Sequence, residues 1–344
     1  MYRVKFLKNR NPVRIGIDPR LTDLPPGGNA RVWKQMFCAL DGIGALDTSA
    51  RPDIWFYSAH GGKPDLVGPS VAVAYEAGWT VSGNRENYPQ NFIDAIDRGT
   101  REGLAHADAV ITGAHSAKKE IADAYQLNWD SIHVIPFGVD LELFRPERRG
   151  EIETSEFSGL LKDRPFVLFV NSFAPRKNLG IVRSAMEQLL HEGFPHCLVL
   201  VGKAVGHLGG ELEAIEEQAT RQFQGFPDRV IWLKDISDMQ LAILMANADV
   251  LCAPSQHEGF GFTVLEAMAA GTPVVVSNKG SLPEIVGGAG RIVEPTVNEV
   301  VVALKAILSN PQPQRLRSEV RRQAEIFSWE ITARRWQQVA KETL

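Results

Sequence analysis

The chain alternates short apolar runs with longer stretches in which apolar residues recur at helical spacing, the rhythm of parallel strands joined by crossover helices. In the first half the strand candidates are Pro12 to Asp18, Asp53 to Ser58, Val71 to Tyr75, Ala107 to Thr112 and His133 to Pro136. Between them a helix is predicted from about Ala30 to Leu40 and an amphipathic one from Asn91 to His106, with Ser116 placed to cap the next. Around Asp140 to Pro146 the apolar pattern ends, and Glu147 to Lys162 is charged and irregular, as a linker would be. Phe166 to Val170 opens a second series of strands, continued at Cys197 to Val201, Val230 to Leu233, Val250 to Pro254, Val274 to Val276 and Arg291 to Val293. Helices are predicted up to about Leu190, over Glu211 to Phe223, Met239 to Ala246, Val297 to Leu308 and Arg315 to Phe327. Ser328 can cap a last one, with Trp329, Trp336 and Val339 on roughly one face. The pattern predicts doubly wound parallel sheets in two α/β domains, residues 1–148 and 149–326, followed by a final helix over 327–344.

Within the second series, His257 to Asn278 (HEGFGFTVLEAMAAGTPVVVSN) stands out. It reads as a glycine-rich loop, a short helix over Thr263 to Ala270 stopped by Gly271-Thr272-Pro273, and a buried strand. Two carboxylates, Glu258 and Glu266, are set seven residues apart in this apolar frame. Glu266 either occupies one exposed stripe of an ordinary helix or meets a ligand whose hydroxyls bond both carboxylates, with the helix N-terminus facing an anion. Arg176 and Lys177 fall at the start of a helix, where the dipole disfavours cations. Either solvent carries them there, or a phosphate or diphosphate sits between them and the free amides.

Four residues in the first half remain open in the same way. Gly27 and Gly28 follow the first strand and either line a cleft or form a plain turn. Glu76 directly follows a strand and faces either an interdomain cleft or a surface loop, and His60 is placed alike. His115 reads as structural.

Composition narrows the classes. With 44% apolar and 23% charged residues over 344, the chain is a globular protein of two ordinary domains. A net charge of −4 argues against a general nucleic-acid binder. Arg3, Lys5, Lys8, Arg10 and Arg14 form a basic start, read as a solvated terminus or, more weakly, as a peripheral membrane contact. Cys38, Cys197 and Cys252 are too few and too scattered for a disulfide framework or a metal site, and with no apolar span or signal-peptide core the expected compartment is the cytoplasm. There is no Asp-x-Asp, no G-x-G-x-x-G, no P-loop and no G-x-S-x-G.

The stretch HEGFGFTVLEAMAAGTPVVVSN resembles the Glu-x7-Glu signature of retaining glycosyltransferases of family 4. The other landmarks fall in family order: VRIGIDPR with PPGGNARVW, ADAVITGAHSAKKEI, IHVIPFGVDLELFRP, FVLFVNSFAPRKNL, ADVLCAPSQHEGFG, SLPEIVGGAGRIVEP and FSWEITARRW. The resemblance implies the two-Rossmann GT-B architecture, with domains facing a cleft and a last helix crossing back to the first domain. It implies a transferase that moves a hexose with retention, from a nucleoside-diphosphate sugar to a glycan, lipid-linked or small-molecule acceptor, with no divalent metal or other cofactor. By the same resemblance Arg176 and Lys177 hold the donor diphosphate, Glu266 the ribose and Glu258 the donor sugar. His257, Gly259, Gly261, Phe262, Thr263 and Gly28 belong to the donor site, and Gly27, Tyr75 and Glu76 to the acceptor side. Many relatives carry His-Asp where this chain has Tyr75-Glu76, so Glu76 or Tyr75 stands in for the sugar-contacting imidazole. Two other classes fit the architecture: a sugar-nucleotide epimerase or hydrolase, and a non-catalytic nucleotide-sugar-binding protein.

Overall fold

The computed structural model describes residues 13–24, 28–49, 51–81, 84–161, 164–202, 214, 216, 217, 220–310 and 312–344. It contains two all-parallel sheets. The first, of five strands, runs β1 (Ile15–Ile17), β2 (Ile54–Ser58), β3 (Ser70–Val73), β4 (Ala109–Thr112) and β5 (Ile132–Val134) in chain order. Leu46 adds a parallel bridge on the outer side of Ile15, opposite β2. The helix Gly28–Gly42 therefore leaves β1 in one direction while the later helices progress in the other, which puts helices on both faces.

The second sheet has six strands in the order β11-β10-β9-β6-β7-β8: β6 (Phe166–Val170), β7 (Cys197–Val201), β8 (Val230–Leu233), β9 (Val250–Ala253), β10 (Val274–Ser277) and β11 (Arg291–Val293). The chain winds outward from β6 through β7 and β8, then returns to pair β9 on its other side. The switch in winding direction falls between β6 and β9, and ligands in such sheets bind beyond the carboxyl ends of the strands at that point.

Three features differ from the sequence reading. The charged stretch after Pro146 is packed: Ile152, Phe157 and Leu161 are buried in the same apolar cluster as β1, β2 and the helix Asp238–Asn247. Ser116 does not cap its helix, His115–Tyr125. Glu284, from the second domain, accepts the amides of His115 and Ser116 at 2.8 Å each. Ser328 precedes the last helix, Trp329–Thr343, without a side-chain cap bond. That helix lies on Gly28–Gly42: Trp336 is fully buried, stacked on Phe56 at 5.0 Å and edge-on to Trp33 at 5.8 Å. Of the basic start, Arg14 pairs with Asp53 (2.9 Å) and Asp47 (3.3 Å), while Arg3, Lys5, Lys8 and Arg10 lie outside the described residues. Among the described residues no helix is long and apolar enough to cross a membrane.

Candidate functional site

The connections leaving β6 and β9 meet at the switch point. After β6 the chain makes a single turn of 3-10 helix, Pro175–Lys177, and Asn178 then takes a left-handed conformation (φ 57°) to start the helix Leu179–His191. Arg176 and Lys177 thus precede the long helix rather than lie within it. The turn is tied to the loop after β9, because the Gln256 amide donates to the Arg176 carbonyl (2.7 Å) and the Asn178 amide group to Pro254 (2.7 Å).

Glu258 lies on that loop. Its carboxylate accepts from Lys177 Nζ at 2.5 Å and from the Ser255 hydroxyl at 2.8 Å. Burial works to raise the Glu258 carboxyl, but Lys177 and Arg176 outweigh it and hold the group below the ordinary carboxylate value. Burial lowers the Lys177 ammonium from its ordinary value, against the pull of Glu258. Arg176 packs over the Tyr88 ring at 5.1 Å, and its Nε and Nη1 are buried with no hydrogen-bond partner. Gly261 (φ 95°) turns the loop into the helix Phe262–Ala269, whose N-terminus has no side-chain cap. Tyr75, Glu76, Lys177, Glu258, Gly259, Gly261, Phe262 and Thr263 line a pocket of about 230 Å³. Gly259 admits the first domain here, since a Cβ on it would stand 2.6 Å from Glu76 Cβ and 2.8 Å from the Tyr75 carbonyl.

His257 points away from Glu258, toward the first domain. Its Nε2 lies 2.9 Å and 3.0 Å from the two oxygens of Glu120, on the helix His115–Tyr125. Its Nδ1 is 2.9 Å from Glu76 Oε2, at ion-pair distance though not aligned as a hydrogen bond. Burial alone would lower this imidazole; Glu120 and Glu76 instead raise it to about 10, so the ring is an imidazolium at neutral pH. Glu76 in turn is pushed down to about 2: burial opposes ionisation, and His257, Arg176 and Lys177 overcome it.

Residues 151–325, just over half of the chain, match the family described as Glycosyl transferases group 1. The chain belongs to this family. Curated relatives of this group 1 glycosyltransferase chain include the MMP alpha-(1->4)-mannosyltransferase of Mycolicibacterium hassiacum, 33% identical over 230 residues, covering 65% of this chain and 51% of that protein. A D-inositol 3-phosphate glycosyltransferase of Xylanimonas cellulosilytica is 31% identical, covering 68% and 57%. The GDP-mannose-dependent alpha-(1-6)-phosphatidylinositol dimannoside mannosyltransferase of Mycobacterium tuberculosis is 30% identical, covering 71% and 59%. The chain thus spans little more than half the length of these relatives. In fold it is similar to sucrose-phosphate synthase from Thermosynechococcus elongatus (TM-score 0.75, 21% identity, 96% of this chain and 98% of that one). It is likewise similar to Anabaena HepE in complex with UDP and glucose (TM-score 0.71, 17% identity, 96% and 100%). The architecture is GT-B.

In this group 1 glycosyltransferase Glu258 and Glu266 do not share a pocket. Glu266 is 5% exposed, so it sits on no solvent stripe. Arg31, on the helix Gly28–Gly42, bridges the Glu266 carboxylate and Asp238, the latter at 2.5 Å. Burial pushes Glu266 up to about 7, with Arg31 opposing the rise. Arg31, Gln35, Asp140, Phe144, Asp238 and Glu266 line a second cavity of about 190 Å³, and Phe262 borders both. Tyr75 is buried against His60 (5.5 Å) and Phe137 (5.7 Å), its hydroxyl unpaired. His60 is held neutral: its Nε2 accepts the Tyr75 amide (3.0 Å), its Nδ1 faces the Thr100 hydroxyl (2.8 Å), and burial lowers it to about 4. Gly28 is the first residue of the helix that carries Arg31, and Gly27 lies outside the described residues. Sequence reasoning missed Arg31, Glu120 and Tyr88, each of which reads locally as an unremarkable helix or loop residue.

Proposed function

We propose that the chain is a retaining glycosyltransferase that moves a hexose from a nucleoside-diphosphate sugar to a carbohydrate-containing acceptor without a divalent metal. The observation that carries this reading is Arg176. Its Nε and Nη1 are buried without a partner, it adjoins Lys177 in the chain, and its charge acts on Glu76 and Glu258, which line the pocket at the uncapped helix N-terminus together with Lys177. Buried guanidinium N–H groups with no partner call for an anion, and a diphosphate supplies both the charge and the acceptor oxygens. Arg176 and Lys177 then hold the diphosphate and take up the charge it gains on leaving, the role a metal plays elsewhere. Glu258, kept ionised beside them, binds donor-sugar hydroxyls and favours positive charge developing at the anomeric carbon. Glu266 receives the ribose hydroxyls as Arg31 gives way, and Glu76 with Tyr75 borders the acceptor.

Two of the relatives are mannosyltransferases, one of them GDP-mannose-dependent, so GDP-mannose leads the donor screen, followed by UDP-, ADP- and TDP-sugars. Each of Arg176→Ala, Lys177→Ala and Glu258→Ala removes a charged hydrogen-bond partner worth ~1.5–3 kcal/mol, roughly tenfold or more in turnover. Transfer should persist in EDTA. Unchanged turnover in folded variants, or release of free sugar in place of transfer, would sink the reading.

A further inference from the structure

We propose that Glu120 is a positioning residue for the transfer: acting through His257, it fixes the Glu76 carboxylate at the edge of the pocket that also holds Glu258. The proposal rests on the reading of that pocket as a glycosyl-transfer site. Glu120 touches neither the pocket nor the cation pair. It bonds His257 Nε2 at 2.9 Å and 3.0 Å, and its Oε2 also accepts the amide of Ala77, the residue after Glu76, at 3.4 Å. One carboxylate therefore holds both the backbone that carries Glu76 and the ring that pairs with it.

The ring has no freedom to do otherwise. A Cβ on Gly78 would lie 2.4 Å from His257 Cε1, so the first domain closes on the imidazole through a missing side chain. Glu76 and Glu258 come from different domains, yet both are referred to one loop, Glu258 covalently and Glu76 through the neighbouring His257. The charged groups facing Glu76 are His257, Arg176 and Lys177, while those facing His257 are Glu76 and Glu120. If His257 loses its charge, Glu76 is left facing only Arg176 and Lys177. It then competes with the diphosphate for the cations that must stabilise it.

The test compares the wild-type chain with Glu120→Gln, using a nucleoside-diphosphate sugar that supports transfer. Glu120→Gln should lower kcat roughly tenfold with donor KM within about twofold. The imidazolium is needed, so activity is present below the His257 value and lost as pH rises through it. In wild type the ring is raised to about 10, and its own NMR titration assigns the limb to it, since deprotonating Lys177, whose ammonium is lowered, also ends activity. In Glu120→Gln it should move down by about one pH unit or more, because one of two carboxylates is gone. NMR titration of the His257 ring should follow the same shift. Gly78→Ala, which displaces the ring and leaves both carboxylates, should reproduce the kcat loss. Unchanged kcat and limb in folded Glu120→Gln, or a change in KM alone, overturns the proposal. So does a wild-type His257 that titrates at its ordinary value. A wild-type chain that transfers no sugar counts against the functional reading, and the NMR titration then still decides the Glu120–His257 link by itself.

Discussion

Replacing Lys177 by methionine separates what the Lys177–Glu258 pair does for stability from what it does for function. The two side chains are only 8% and 19% exposed. Methionine keeps most of the lysine stem and deletes the ammonium, leaving a buried carboxylate with the Ser255 hydroxyl and the nearby Arg176. Breaking a buried pair from one side costs ~3–5 kcal/mol, and the remaining Arg176 places the loss at the low end, about 3 kcal/mol. Removing both charges in Lys177→Met/Glu258→Gln should return stability to within about 1 kcal/mol of wild type. The pH dependence carries its own sign. In wild type the folded Glu258 value lies below the unfolded one, so its contribution is full above the ordinary value of 4.5 and is lost as pH falls through the folded value. In Lys177→Met burial prevails and the folded value rises above the unfolded one. The single variant should then gain on wild type as pH falls from 7.5 toward 5. Urea unfolding of the four proteins of this cycle at both pH values provides the measurement. Equal stability of Lys177→Met and wild type, or a double variant as unstable as the single, would refute the reasoning.

Glu266→Gln should raise the melting temperature above wild type at pH 8, with the gap closing toward pH 4.5. Burial lifts Glu266 to about 7 when folded, so the stability it contributes is full below its unfolded value and lost as pH rises through the folded one. A thermal-shift series across that range reads the effect, and a gap independent of pH would contradict it. Trp336→Ala should cost ~3–5 kcal/mol by chemical denaturation, because the indole is fully buried between Phe56 and Trp33. A loss under about 1 kcal/mol would show that the last helix is held by something other than this stack.

Much of the sheet framework was legible because parallel core strands announce themselves. Phe166–Val170, Cys197–Val201 and Val230–Leu233 are continuous apolar runs, and the structure gives them the same bounds. The stretch after Pro146 was not legible as packed structure. Ile152, Phe157 and Leu161 fall at no regular period, with Glu153 and Glu156 between the first two, and they bury in a cluster that includes the helix Asp238–Asn247, distant in sequence. In the site, Lys177 and Glu258 each stand out locally, one as a cation ahead of a helix and the other as a carboxylate in a glycine loop. The structure brings them to 2.5 Å. Arg31 and Glu120 carry no local anomaly. Each is an ordinary charge on an amphipathic helix, and what makes it special is a partner 235 or 137 residues away.

The packing of Trp336 has a consequence for how the molecule is made. The strands of the first sheet are all synthesised by Val134, but the helix that lies over Trp33 and Phe56 begins at Trp329. As the chain emerges, the first sheet must wait, with part of its apolar face uncovered, while the whole second sheet is translated. The first sheet is therefore covered only after the second has been made. Polypeptides released before the helix Trp329–Thr343 would carry an open aromatic seam, a natural handle for chaperones and proteases.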